Sequence, residues 1–171
     1  AFNTSIQKVT LSNTTKYIYD YAFANNLSLA EINLPVTLEF IGNYAFADCI
    51  ALTSVHIPSQ VQSIGEYAFY RCNSLSGVTF DPGIKEIAEY AFAECQSLES
   101  MTIPYTVTFM GNYVLNECTS LKALIMKGNT PPVLGTSGLY YRSDMVIFVN
   151  DAAYNTYTNN FYWRKYVNRT L

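Results

Sequence analysis

Four cysteines recur at a constant interval of 23 residues, each at the end of a similar segment. The segment reads AFADC up to Cys49, AFYRC up to Cys72 and AFAEC up to Cys95, and Cys118 follows at the same spacing. A fixed period of roughly 20–50 residues is typical of chains built from stacked copies of one structural unit. This period constrains the fold more than any other feature of the sequence.

Many other positions align when the sequence is shifted by 23 residues, and the first three apolar columns together read L-x-x-φ-x-φ, where φ is apolar. The apolar columns are Leu29, Leu52, Leu75, Leu98 and Leu121; Ile32, Val55, Val78, Met101 and Leu124; Leu34, Ile57, Phe80, Ile103 and Met126; and Ile41, Ile64, Ile87 and Met110. Three further columns are Gly42, Gly65, Ala88 and Gly111; Tyr44, Tyr67, Tyr90 and Tyr113; and Phe46, Phe69, Phe92 and Leu115. The pattern extends weakly back to Ile6, so residues 1–126 form the repetitive region.

A period of 23 lies within the range of leucine-rich repeats, whose L-x-x-L-x-L segment is a strand. The sequence therefore predicts a strand-rich α/β leucine-rich-repeat solenoid of about five units. We expect a right-handed superhelix with a parallel β-sheet on its concave face. The rest of each unit is predicted to be a turn and a helical turn, with glycine at the bend because glycine tolerates positive φ. Pro35, Pro58 and Pro104 end their strands, whereas Asp81-Pro82-Gly83 predicts a local distortion in the third unit.

The cysteines share one column, which Asn26 occupies in the first unit. In leucine-rich repeats this consensus position is Asn or Cys and points into the core. Parallel Cα–Cβ vectors disfavour disulfides between neighbouring turns, and a line of thiols does not surround a zinc ion. Packing is the favoured role, and a disulfide remains the next alternative.

Composition restricts the class of protein. Half of the residues are hydrophobic and only 13% are charged, and the net charge of −3 disfavours nucleic-acid binding. Residues 1–126 carry a net charge of −6 and residues 127–171 carry +3, so we expect a boundary near residue 127. No apolar run is long enough for a membrane span, and the sequence shows no signal peptide.

Residues 127–171 are predicted to form a C-terminal cap that covers the open end of the core. The segment MVIFV is predicted to be a strand, and Asp151 is a plausible N-cap of a following helix. Aromatic residues at Tyr154, Tyr157 and Phe161 recur at helical spacing.

The segment IGEYAFYRCNSLSGVTF, from Ile64 to Phe80, resembles the unit of the BspA-like leucine-rich repeat family of bacterial cell-surface proteins. The resemblance covers residues 6–126, and the tail is similar to the ends of gut Bacteroides-type members. It implies an exported protein at the cell surface or outside the cell, which adheres to host or microbial proteins. The predicted function is therefore a non-catalytic module for protein–protein interaction, without a cofactor and monomeric. The alternative is a carbohydrate-binding or structural scaffold domain of a larger surface protein.

Side chains that alternate with the apolar strand columns are predicted to point outward and to contact a partner. These candidates are Glu31, Asn33, Ser54, His56, Thr79, Ser100, Thr102 and Tyr105. Simple packing of stacked strands is the competing interpretation. The tyrosine column, extended back to Tyr21, is a second candidate surface. The inward residues Phe46, Phe69 and Phe92, together with the four cysteines, are predicted to form a structural ladder.

Catalysis has little support in the sequence. His56 is the single histidine and is predicted to point away from the cysteine column, so a Cys–His pair is not expected. Glu86, Glu89, Glu94 and Glu99 cluster in sequence, but acidic residues on turns are more often solvated surface. Catalytic, metal and cofactor-binding residues are therefore predicted to be absent.

Overall fold

A computed structural model describes residues 5–137, residue 139 and residues 145–170, with side chains described up to residue 167. The strands are β1 Lys8–Thr10, β2 Tyr17–Ile18, β3 Glu31–Asn33, β4 Phe40–Ile41, β5 Ser54–Ile57, β6 Ser63–Ile64, β7 Gly77–Phe80, β8 Glu86–Ile87, β9 Ser100–Ile103, β10 Phe109–Met110, β11 Ala123–Met126, β12 Val133–Leu134, β13 Val146–Val149 and β14 Val167–Thr170. The helix α1 spans Tyr154–Asn159. The chain forms a strand-rich parallel β-solenoid of about six turns, rather than the five that the strongest columns suggested.

Each turn contributes two strands, whereas the sequence predicted one. The even-numbered strands β2 to β12 form one continuous parallel sheet of six strands, which we call the short-strand sheet. The odd-numbered strands, followed by β14, form the long-strand ladder on another side of the solenoid. Neighbouring turns stay in register at the repeat spacing, with Val55 opposite Val78 and Ile41 opposite Ile64.

The core lies between the two sets of strands. Period-2 alternation in the long strands buries one residue of each pair and exposes the next, as in β5, where Val55 and Ile57 are buried and Ser54 and His56 are exposed. The stacked turns align these buried residues into continuous apolar columns that no single turn could cover alone.

The predicted helical turn is absent from the described repeats. The Tyr-Ala-Phe segments instead form turns that hydrogen-bond to the next turn of the solenoid, for example Tyr44 N–H to Glu66 O and Phe46 N–H to Ala68 O. Each tyrosine of the column, and the residue before each Cys or Asn26, has a positive φ between 55° and 60°. Bulky residues rarely adopt this left-handed conformation, so the hydrogen bonds between turns must hold it in place.

The explanation predicted for the glycine column is wrong, because the described glycines all have negative φ. A Cβ atom at Gly65 would lie 2.6 Å from the carbonyl carbon of Gly42, and one at Gly111 would lie 2.5 Å from the nitrogen of Glu89. Glycine is therefore used where the backbones of successive turns approach closely, and not to permit a left-handed bend.

The distortion predicted for the third unit is present in the long-strand ladder. Within the described residues, parallel pairing is interrupted between β7 and β9, although the two strands still lie side by side. Phe80 is the aromatic member of an otherwise aliphatic column and is only half-buried. The N–H of Asp81 donates to Ile57 O on the preceding turn, a bond that the proline of other turns cannot make. This bond joins β7 to β5, which remain paired. A second interruption lies between β3 and β5, and at both interruptions a proline without an N–H follows the later strand, Pro58 after β5 and Pro104 after β9.

The C-terminal region continues the long-strand ladder, since β13 pairs in parallel with β11 as the MVIFV segment predicted. Asp151 does not cap the helix; the Asn150 side chain instead accepts a hydrogen bond of 2.8 Å from the N–H of Ala153. The helix ends at Asn159, before Phe161, so the helical spacing of aromatic residues was misleading. Of these aromatic residues only Tyr157 is buried, and it packs edge-on against the buried Trp163.

Candidate functional site

The predicted binding residues share one side of the molecule, which we call the strand face. All the members on the long strands are exposed, namely Glu31, Asn33, Ser54, His56, Thr79, Ser100 and Thr102. Tyr105 follows β9 directly and is 65% exposed. The alternation of the strands therefore presents these small and polar side chains to solvent in rows.

His56 lies in the middle of the strand face and bridges two turns. Its Nδ1 atom is 2.9 Å from the Thr79 hydroxyl, and its Nε2 atom is 3.3 Å from a carboxylate oxygen of Asp81. At the first turn, Lys8 pairs with Glu31 at 2.6 Å. Both arrangements are exposed to solvent, so they orient side chains on the face and contribute little to stability.

A cleft of about 350 Å³ opens on this face where β7 and β9 are not paired. We call it the β7–β9 cleft, and its lining consists of Val78, Thr79, Phe80, Pro82, Thr102, Pro104, Tyr105 and Lys127. Thr79, Thr102 and Tyr105 were predicted from the sequence. Phe80, Pro82, Pro104 and Lys127 were missed, although the Asp81-Pro82-Gly83 turn marked the turn at which the ladder opens.

A smaller cavity of about 270 Å³ lies on the other side of Tyr105. Its walls include Val107, Thr130, Pro131 and Pro132. The exposed ring of Tyr105 therefore stands between two adjoining depressions, both lined mainly by proline and aliphatic carbon. This part of the strand face has more relief than the flat rows of small side chains elsewhere.

The tyrosine column forms a continuous stack of rings along the outside of the turns. Centroids of neighbouring rings lie 4.7–4.9 Å apart from Tyr21 through Tyr44, Tyr67 and Tyr90 to Tyr113. Partial burial in this stack raises the pKa of Tyr44 and Tyr67 above the usual tyrosine value. Since each inner ring contacts a ring on either side, mutual packing accounts for most of the column.

The cysteines are buried and carry free thiols. Each thiol donates to a phenylalanine carbonyl of the preceding turn, as in Cys72 Sγ to Phe46 O at 3.2 Å. Burial raises the pKa of Cys49 to about 12 and that of Cys72 well above its ordinary value. A protonated, enclosed thiol is a packing group with a weak hydrogen bond rather than an available nucleophile.

Asn26 occupies the equivalent position in the first turn. Its amide donates to Phe23 O at 2.7 Å, and the same carbonyl accepts from Cys49 Sγ at 3.1 Å. The phenylalanines beside this column, Phe46, Phe69 and Phe92, are fully buried and stack with centroids 5.0 Å apart. Together these residues form a ladder of repeated contacts through the interior.

The described part of the chain lacks two kinds of structure. None of the helices there is long and apolar enough to cross a membrane. The same residues contain no group of three or more His, Cys, Asp or Glu side chains placed to hold a metal ion.

Several solved bacterial structures share this fold. The leucine-rich repeat protein of T. pallidum is 27% identical with a TM-score of 0.68, over 70% of this chain and 58% of that one. A leucine-rich repeat protein from Bacteroides ovatus is 24% identical with a TM-score of 0.72, over 88% of this chain and 45% of that one. A leucine rich cell surface protein from Faecalibacterium prausnitzii is 24% identical with a TM-score of 0.62, over 83% of this chain and 47% of that one.

This chain thus spans about half the length of the proteins that it resembles. Among curated proteins, none is similar enough in sequence to count as a relative. Residues 1–130 match six copies of the repeat described as the BspA type leucine rich repeat region. Since this match covers most of the chain, and the columns and turns of the solenoid agree with it, the protein belongs to the BspA-type leucine-rich repeat family.

Proposed function

We propose that this chain is a non-catalytic protein-binding module of a bacterial surface protein, and that it contacts its partner through the strand face. The observation that carries the proposal is the combination of an exposed, ordered strand face with the β7–β9 cleft in its middle. Rigid parallel strands hold these side chains in fixed positions, which reduces the entropy lost on binding. Repeat solenoids commonly bind proteins through such extended surfaces.

Export and adhesion belong to the same proposal. The resemblance to BspA-like proteins implies a surface location, and one structural neighbour is described as a cell surface protein. Because this chain covers only about half of each neighbour, the adhesive activity of a complete surface protein is an inference for this one.

We also propose that residues 127–171 act as the C-terminal cap of a monomeric solenoid. The support is that β13 continues the long-strand ladder and that Trp163 is buried, with its indole N–H donating to Pro132 O at 2.7 Å. This contact anchors the segment after α1 to the end of the repeats.

A carbohydrate-binding role is the second candidate. Tyr105 presents an exposed aromatic ring between two depressions, with the hydroxyls of Thr79 and Thr102 lining one of them. Such a ring can stack on a sugar, while the hydroxyls can bond to it. The mainly apolar character of both depressions favours a protein partner.

The first experiment measures binding of the purified chain to a panel of host matrix proteins, microbial surface proteins and glycans by biolayer interferometry. The test variant combines His56→Glu, Thr79→Glu and Thr102→Glu. The matched control combines Gln60→Glu, Gln62→Glu and Thr136→Glu, which are exposed positions near the short-strand sheet and line neither depression beside Tyr105.

Loss of protein binding in the test variant and its retention in the control would support the proposal. Equal binding by the two variants would contradict the use of the strand face. Retention of glycans alone would establish the second candidate in place of the first.

A further inference from the structure

We propose that the β7–β9 cleft receives one bulky apolar side chain, preferably aromatic, from the protein partner, and that Lys127 pairs with a carboxylate adjacent to that side chain. This inference rests on the proposed function and specifies the chemistry of the partner. It assigns the anchoring position of the strand face to a site between the fourth and fifth turns.

The lining of the cleft fits an apolar occupant. Val78, Phe80, Pro82 and Pro104 contribute carbon surface, and the two threonines add methyl groups. Phe80 packs edge-on against Phe92, with centroids 6.3 Å apart, so its position is fixed by the core beneath it. The ring of Phe80 therefore rests against the core before any partner binds, in keeping with the largely pre-formed character of binding pockets.

The size of the cleft fits a single aromatic ring. Its volume is about 350 Å³. A cavity of roughly 150 Å³ is enough to hold benzene, so a phenyl or indole ring can enter without movement of the strands. Burying one large apolar side chain in a pocket is the usual way in which an interface obtains most of its affinity.

Lys127 gives the cleft a charge preference. It follows β11 directly, its backbone N–H donates to Ile103 O at 3.0 Å, and its exposed side chain lines the cleft. Within the described part of the chain Lys85, Lys122 and Lys127 make no ion pair, and of these three lysines Lys127 alone lines the cleft. A partner carboxylate beside the buried side chain would supply the missing charge.

The apolar cleft and Lys127 together determine how the partner chain is oriented. On the opposite side of the cleft, Asp81 already interacts with His56. A carboxylate of the partner is therefore favoured on the Lys127 side and disfavoured on the Asp81 side. Tyr105 forms the wall between the cleft and the second depression, so the partner chain must pass over or beside its ring.

The probes are four capped hexapeptides with Gly and Ser at the other positions. They contain Phe-Asp, Asp-Phe, Ala-Asp or Phe-Asn at the centre. Each is titrated to about 10 mM into the ¹⁵N-labelled chain, because one anchor residue supports only millimolar affinity. Amide shifts at Thr79, Thr102 and Lys127 report on the cleft.

We expect shifts at these amides with at least one of the two peptides that contain both Phe and Asp. Replacing Phe by Ala should weaken binding roughly tenfold or more, since the apolar contact is lost. Replacing Asp by Asn should weaken it roughly two- to fivefold, as for an exposed ion pair. Lys127→Glu should give a loss of similar size or larger.

Lys122→Glu is the matched control, because Lys122 is an exposed lysine of the same turn at the other end of β11. Thr102→Phe is a second test variant, which should fill the cleft and abolish the shifts. Circular dichroism melting checks that each variant remains folded.

No shift at the cleft amides, or equal binding of the Ala-Asp and Phe-Asp peptides, would overturn the inference. Equal effects of Lys127→Glu and Lys122→Glu would overturn the role of Lys127. These outcomes are distinct from failure of the proposed function. If a partner protein binds and the strand-face variant abolishes binding while Lys127→Glu and Thr102→Phe do not, the function stands and the cleft is not its anchor.

Discussion

The two sets of strands in this solenoid come from the same 23-residue repeat, yet only one forms an uninterrupted sheet. The short-strand sheet runs continuously through six strands, although each of its strands has only two residues. The long-strand ladder has strands of up to four residues and is interrupted in two places. Strand length therefore does not determine which side of the solenoid forms a continuous sheet.

The difference in continuity between the two sides follows from the residues in and beside their strands. Glycine follows most of the short strands, and it allows the backbones of successive turns to meet closely. On the other side, Phe80 takes a place that Ile57 and Ile103 hold in neighbouring turns, and the ladder opens beside it. Regular packing thus maintains the scaffold, and the β7–β9 cleft lies where Phe80 departs from the repeat, although the ladder also opens between β3 and β5 without such a departure.

The largest effect should come from the regular side. Phe69→Ala removes a fully buried ring from the centre of the phenylalanine stack. The loss of unfolding free energy should be about 3–5 kcal/mol, as for other buried aromatic residues. Urea denaturation measures it, with Phe80→Ala as the comparison at the interrupted ladder. Because Phe80 is half-buried, its loss should be smaller; equal losses would remove the distinction between the two sides.

Two glycines give a sharper comparison. Gly65→Ala places a methyl group 2.6 Å from the Gly42 backbone, whereas the nearest atom to a methyl at Gly77 is Ser54 Cβ at 3.5 Å. Ala88 carries a methyl in the same column as Gly65, so the cost at Gly65 should fall at the lower end of the roughly 1–3 kcal/mol typical of overpacking. Gly77→Ala should be neutral or stabilising by up to about 1 kcal/mol. A cost at Gly77 that matched the cost at Gly65 would contradict the proposed origin of the continuous sheet.

The repeat made much of this fold predictable, because a constant period fixes the register of every turn against the next. The pairing of Val55 with Val78 follows from the period, and the exposure of His56 and Thr79 follows from alternation along each strand. The left-handed conformation of Tyr44 was not predictable, because local preference opposes it. It depends on a hydrogen bond to Glu66, in the next turn.

The cleft was only partly predictable for the same reason. The Asp81-Pro82-Gly83 turn indicated a distortion, but the pattern treats Phe80 as one more apolar residue. Lys127 was assigned to the C-terminal region, although it lines a cleft formed by the repeats. A cavity forms where contacts between neighbouring turns are missing. The repeat pattern of one sequence indicates only the contacts that recur from turn to turn.

The buried cysteine column makes the stability of the solenoid depend on pH. Burial raises the pKa of Cys49 from 9.0 to about 12 in the folded state. The stability from the protonated thiol is therefore complete below about pH 9, and it falls as the pH rises towards the folded-state value. Between about pH 8 and pH 10, wild type should lose about 1.4 kcal/mol more than Cys49→Ala.

Urea denaturation at both pH values measures this difference, and groups common to both proteins cancel. Equal losses would mean that the thiol at Cys49 is accessible to water in the folded state. That result would show that the core at the first turns is more accessible to water than the interior around Cys72 and Cys95.

The smallest effect distinguishes the repeats from the C-terminal region, where no column constrains the packing. Tyr157 is fully buried, and its hydroxyl is the one buried side-chain oxygen or nitrogen without a hydrogen-bond partner among the described residues. Tyr157→Phe removes that unsatisfied group and should stabilise the protein by about 1 kcal/mol. Tyr166 is the matched control, because its buried hydroxyl donates to Leu139 O at 2.8 Å. Tyr166→Phe should therefore destabilise by about 1 kcal/mol, since it removes that hydrogen bond. Denaturation curves of the two variants decide the question: destabilisation by Tyr157→Phe, as by Tyr166→Phe, would show that the hydroxyl of Tyr157 is satisfied after all, and that the C-terminal region is packed as completely as the repeats.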